Sequence, residues 1–124
     1  MTGVLHQVAQ HAPDLDASVG FYRDVMGLPL IARFDPPGLV FLKAGDTRLL
    51  LEGAAPPALI YLRVGDLFAE YERLRAAGVT LQTDPHVIYR DTDGTFGPPA
   101  EEWMAFVRDP AGNLVGLSER RPLS

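Results

Sequence analysis

The sequence predicts an α+β protein made of two βαβββ units, and three observations predict it. First, a short strand followed by Asp-Leu occurs twice, at Asp14-Leu15 and at Asp66-Leu67, with the carboxylate placed to cap a helix. Second, a glycine closes each ensuing helix, Gly27 and Gly78, because glycine enters the left-handed conformation without a side-chain penalty. Third, short apolar runs parted by turn formers follow each glycine. Two copies of one unit is the economical reading: about 4–55 and about 58–121, within a single domain spanning 4–121.

Each element can be justified in turn. Val4 to Gln10 is rich in β-compatible residues, and Ala12-Pro13-Asp14-Leu15-Asp16 supplies a turn and cap. From Ala17 to Met26, the residues Ser18, Phe21, Tyr22 and Val25 fall on one face of a 3.6-residue period, the face expected to pack on a sheet. Leu28 to Asp35, Leu39 to Ala44 and Thr47 to Glu52 read as strands, parted by Pro36-Pro37-Gly38 and Gly45-Asp46. In the second copy, Leu59 to Val64 reads as a strand and Leu67 to Ala77 as a helix whose buried stripe is Leu67, Tyr71 and Leu74. The strands expected after it are Val79 to Gln82, His86 to Tyr89, Trp103 to Arg108 and Leu114 to Ser118. Asp91 to Glu102 holds Gly94, Gly97, Pro98 and Pro99 and has neither period, so it is expected to be a mobile surface loop.

Composition narrows the function classes. At 124 residues and 47% hydrophobic, the chain can bury a core. Its formal charge is −5 and its 11 Lys and Arg are scattered along the chain, with only Arg120-Arg121 adjacent, which argues against a nucleic-acid partner. Without cysteine there is no disulfide, thiolate metal site or thiol nucleophile. The first residues lack the pattern of a signal peptide, and no stretch approaches the roughly 18 apolar residues of a membrane span. A cytoplasmic protein with no membrane partner is the expectation.

Three segments carry a resemblance to a known family. They are Asp14-Leu15-Asp16 with Phe21-Tyr22-Arg23-Asp24-Val25-Met26-Gly27-Leu28, Val64-Gly65-Asp66-Leu67 with Leu74 and Gly78, and Phe106-Val107-Arg108-Asp109-Pro110-Ala111-Gly112-Asn113. In order and spacing they resemble the vicinal-oxygen-chelate superfamily, which includes glyoxalase I, bleomycin-resistance proteins and extradiol dioxygenases. The resemblance implies two half-barrels, forming a curved mixed sheet around a small-molecule cavity that often holds a divalent metal. It also implies metal ligands from the first and fourth strands of each unit, as His, Gln or Glu. Carried over residue by residue, those slots fall on Gln7, Leu50, Leu59 and Gly116. Three of the four have no donor side chain, so the usual divalent-metal ligand set is incomplete and a close glyoxalase I is disfavoured. The cofactor is left unknown, and no metal ligand is assigned.

Against that frame, Gln7, His86 and Glu102 are the candidate catalytic residues. Gln7 occupies a ligand slot; His86 begins a strand after Asp84-Pro85; and Glu101 or Glu102, before Trp103, offers a carboxylate. His11, Glu52, Tyr61 and Trp103 are the candidate substrate-binding residues. His11 shares a strand face with Gln7, Glu52 ends the first unit's last strand, and the two aromatics would wall a pocket. Plainer readings stand beside these: His11 and His86 as rim or edge residues, Glu52 and Glu101-Glu102 as solvated acids, and the aromatics as core. Arg33 and Arg63 sit in otherwise apolar strands, either as surface charges or as partners for an anionic ligand group.

The sequence therefore points to a glyoxalase/bleomycin-resistance-like protein binding a small organic molecule, as a lyase or isomerase acting beside a carbonyl. The rival reading is a non-catalytic protein that sequesters a drug or metabolite. A dioxygenase would need two histidines and a carboxylate on iron, and His6 and His11 lie on opposite faces of one strand. The resemblance further implies a homodimer.

Overall fold

The computed structural model describes residues 3–123. Its elements run β1 (Gln7–His11), α1 (Leu15–Val19), β2 (Leu30–Phe34), β3 (Leu39–Ala44), β4 (Thr47–Glu52), β5 (Ile60–Arg63), α2 (Leu67–Ala76), β6 (Thr80–Asp91), β7 (Ala100–Arg108) and β8 (Leu114–Pro122). The expected α+β class and the doubled βαβββ order are both present. The strands form two open four-stranded sheets of matching order, β1-β4-β3-β2 and β5-β8-β7-β6, each with its first and last strands parallel. Two compact units result: Met1–Ala58 with Asp109–Asn113, and Leu59–Arg108 with Leu114–Ser124.

Both helices start as the sequence dictates. The Asp14 carboxylate accepts from the Ala17 N–H at 3.1 Å, and that of Asp66 from the Ala69 N–H at 3.2 Å. Both also end as expected, with Gly27 at φ 86° and Gly78 at φ 81°. Between these ends the first helix departs from expectation. It is helical from Leu15 rather than Ala17, and from Gly20 to Val25 it widens into a π-helical segment, where the Met26 N–H reaches the Phe21 carbonyl at 2.8 Å. The extra residue in the turn lets the adjacent Phe21 and Tyr22 both be buried, edge to face at 4.9 Å.

In the first unit, Val40, Leu42, Leu49 and Leu51 form the buried sheet core with Val19, Phe21 and Tyr22. A polar staple completes it. The Tyr22 hydroxyl donates to Asp109 Oδ2 at 2.6 Å; the same carboxylate accepts the Ala111 and Asn113 N–H groups at 2.9 Å and Asn113 Nδ2 at 2.8 Å. Asn113 Nδ2 also donates to the His11 carbonyl at 2.7 Å. Burial first, then the bond to Asp109, raises the Tyr22 pKa above the ordinary phenol range. Two of the three sequence motifs thus meet at one hydrogen bond, and the Asp-Pro-Ala-Gly-Asn turn is a fold device.

In the second unit, Ala105, Val107, Val115 and Leu117 pack with Leu67, Tyr71 and Leu74. Here several boundaries differ from expectation. The segments 79–82 and 86–89 are one strand, β6, with register shifts on both sides of Thr83 and between Val87 and Tyr89. Asp84-Pro85 is accommodated because β6 is an edge strand, where a missing N–H costs no ladder bond. The Tyr71 hydroxyl ties α2 to this irregular stretch by donating to Asp84 at 2.5 Å, and burial together with that acceptor pushes its pKa up to about 12. Strand β8 runs on to Pro122 rather than ending at Ser118. The expected loop from Asp91 to Glu102 shrinks to residues 92–99, since Asp91 ends β6 and Ala100 to Glu102 begin β7.

Candidate functional site

Strand alternation, with cross-strand register where β6 is irregular, assigns the paired side chains of the second sheet to one of two faces. Helix α2 covers the face bearing Trp103, Glu119 and Arg121. The Phe68 ring lies 5.4 Å from Trp103, the Arg121 guanidinium stacks on Phe68 at 4.8 Å, and the Leu67 N–H donates to Glu119 at 2.8 Å. The opposite, helix-free face carries Tyr61 and Arg63 from β5, Gly116, Ser118 and Arg120 from β8, Glu102, Met104 and Phe106 from β7, and His86 and Tyr89 from β6. Of the expected site residues, Tyr61, His86 and Glu102 therefore share a face, while Trp103 lies on the other. The same alternation places Glu101 and Glu102 on opposite faces. Glu101 faces the helix side, accepting from Arg90 at 2.8 Å and from Trp103 Nε1 at 3.3 Å.

Glu102 sits in a chain of charges. Its Oε1 accepts from Arg63 at 2.7 Å, and its Oε2 lies 3.5 Å from Arg120. Arg120 in turn donates to Asp91 at 3.0 Å and to the Pro98 carbonyl at 2.7 Å. Asp91, fully buried, also accepts the Thr95 and Phe96 N–H groups at 2.7 and 2.9 Å. The Phe96 N–H, then the Thr95 N–H and Arg120, hold its carboxyl below the usual Asp range, outweighing burial. The 92–99 loop is thus pinned from beneath. Arg120 and Asp91 were not among the expected residues, although the alternation of Gly116, Ser118 and Arg120, continued past Ser118, would have found the first.

The ligand slots inherited from the family resemblance can be tested against this geometry. Counting placed the second unit's first-strand slot at Leu59, but Leu59 precedes β5, and the residue level with Gly116 is Tyr61. A Cβ at Gly116 would lie 2.6 Å from Tyr61 Cδ1 and 3.1 Å from Phe106 Cε1, so the two rings, edge to face at 6.1 Å, occupy the space a carboxylate would need. In the first unit Gln7 lies level with Arg48, and its Oε1 accepts from Arg48 Nε at 3.1 Å; Leu50 supplies no donor atom. Among the described residues, no three His, Asp or Glu side chains converge on a point where a cation could sit. The residues present do not fit the family's divalent ion.

The remaining candidates have clear placements. In the first unit, His11 is level with Glu52, and His11 Nδ1 lies 3.1 and 3.0 Å from the Gly53 and Ala55 carbonyls. Carbonyls only accept, so Nδ1 is the donor in these contacts. His86 is held in the same way, its Nδ1–H donating to the Asp84 carbonyl at 2.8 Å. Arg33 is paired with Asp16 and Asp35, both at 2.7 Å. Gln7, His11 and Glu52 belong to the first unit, and Tyr61, His86, Glu102 and Trp103 to the second.

The family model described as Glyoxalase/Bleomycin resistance protein/Dioxygenase superfamily matches residues 4–117. No curated protein matches the sequence. Among solved structures, a lactoylglutathione lyase from Agrobacterium tumefaciens is 27% identical, with 95% of this chain and 94% of that one covered and a TM-score of 0.72. An antibiotic-binding protein from Streptomyces sp. CB03234 is 23% identical over 96% of this chain and 97% of that one, with a TM-score of 0.70; at that identity the likeness is one of fold. No helix among the described residues is long and apolar enough to cross a membrane.

Proposed function

Because the chain belongs to the Glyoxalase/Bleomycin resistance protein/Dioxygenase superfamily, we propose that it binds a small organic molecule on the helix-free face of its second sheet, without a divalent metal. One observation carries this reading: the rings of Tyr61 and Phe106 fill the space beside Gly116 that a metal-binding carboxylate would take. The same substitution that removes a ligand leaves an exposed aromatic platform, which suits stacking of an organic ring. The structural neighbour from Streptomyces, described as antibiotic-binding, agrees with a sequestering role. A thermal-shift screen of a small aromatic library on EDTA-treated protein tests the reading. Stabilisation that Tyr61→Ala removes is expected; stabilisation unchanged by Tyr61→Ala would place the ligand elsewhere.

A second reading, a lyase or isomerase acting beside a carbonyl, draws support from His86. Its Nδ1–H is engaged by the Asp84 carbonyl, which leaves Nε2 to take a proton on the face that also bears Glu102. Exchange of deuterium from solvent into a bound carbonyl compound, lost in His86→Gln, would favour catalysis; exchange at the uncatalysed rate would leave sequestration.

A further inference from the structure

We infer that the ligand is a planar aromatic carboxylate, with its ring on Tyr61 and its carboxylate on Arg63, taken in competition with the protein's own Glu102. The inference rests on the binding reading above and adds the chemical class.

Tyr61 and Arg63 are two residues apart on β5 and face the same way, which separates their Cα atoms by roughly 6.6 Å. That spacing matches a ring joined directly, or through one carbon, to a charged group. Tyr61 is held flat against β8 because Gly116 has no side chain, and Phe106 meets it edge to face. Tyr61 is 53% exposed, which leaves part of it free for a stacking partner. Arg63 is half exposed and donates through NH1 alone, to Glu102. Its remaining N–H groups make no bond among the described residues, and a guanidinium edge with two parallel donors is the geometry that grips a carboxylate.

Glu102 marks where such a carboxylate sits. Its side chain is only 13% exposed and lies between Arg63 and Arg120. An incoming carboxylate on Arg63 need not leave Glu102 unpaired, because Arg120 is already beside its other oxygen. Arg120 also holds the Pro98 carbonyl and Asp91. The charge chain therefore exchanges partners on binding without stranding a buried charge, which a lone Arg63–Glu102 pair would do.

The test is calorimetric titration of the full chain with benzoate, phenylacetate and indole-3-acetate, each against its neutral amide, in wild type, Arg63→Gln, Tyr61→Ala and Glu102→Gln. Far-UV circular dichroism of each variant checks folding. At least one acid is expected to bind about tenfold or more tightly than its amide, a difference of about 1.4 kcal/mol. Arg63→Gln should abolish that preference, Tyr61→Ala should weaken acid and amide together, and Glu102→Gln should tighten the acid alone. Equal binding of acid and amide would overturn the anionic class while leaving the binding reading intact. So would failure of all three acids alongside Tyr61-dependent binding of a neutral library compound. Acid binding that appears only after a divalent metal is added would overturn both.

Discussion

The two units share one topology and differ in what they do with it. Each has an aspartate cap, a glycine-ended helix and a four-stranded sheet whose first strand lies parallel to its last. In the first unit, polarity is spent on structure. Tyr22, Asp109, Asn113 and the His11 carbonyl form a closed set, and the buried Gln10 amide clamps Ala58 by donating to its carbonyl at 2.8 Å and accepting its N–H at 2.7 Å. In the second unit, a linked set of charged side chains instead lies on the helix-free face of the sheet. Arg63, Glu102, Arg120 and Asp91 form an open chain whose first member is half exposed. Caps and turns set the fold; the residues at register positions set the chemistry, and two copies of one unit can divide these tasks.

That division can be broken on purpose. The largest effect is expected from Asp109→Ala, which leaves four donors without their acceptor and should cost about 3–5 kcal/mol, read by urea unfolding. Next, Gly116→Glu forces a side chain into the Tyr61 and Phe106 rings; overpacking of this kind costs about 1–3 kcal/mol, and ligand binding should be lost with it. Asp14→Ala and Asp66→Ala sharpen the comparison, because equivalent caps should cost a similar amount, about 1 kcal/mol each, in thermal or urea unfolding. A difference larger than the cap itself would mean that the helices are not equivalent supports.

The smallest effect is local and pH-dependent. The Asp91 carboxyl is held below its ordinary pKa of 3.8, so its contribution is complete above that value and is lost as pH falls through the lower, folded value. Amide exchange at Thr95 and Phe96 should accelerate in that acidic window and not near neutrality. Asp91→Asn should speed the same two amides at neutral pH.

Much of the fold was legible because its signals are local. Asp caps, terminal glycines and alternating apolar strands each act within a few residues, so the doubled order could be read directly. What escaped were features that depend on partners far along the chain. The bulged strand β6 looked like two strands because Pro85 reads as a stop, and only its position at a sheet edge makes it tolerable. The loop from Asp91 looked mobile because its glycines and prolines carry no period, whereas its anchor is Arg120 on β8. The candidate site was partly legible. Tyr61, His86 and Glu102 were named for different reasons and share a face, yet nothing in the sequence paired Glu102 with Arg63 and Arg120, or set Tyr61 over Gly116. Such pairings follow from strand register, which one residue of slippage would invert.

If the Tyr61 and Phe106 rings stand in place of a metal ligand, as proposed, ligand binding needs no divalent ion. Calorimetry of one bound aromatic compound, on protein dialysed against EDTA and on the same protein reloaded with Ni, Co, Zn, Mn or Fe, tests it most directly. The same affinity is expected in both samples; binding that appears only in the metal-loaded sample would contradict a metal-free site.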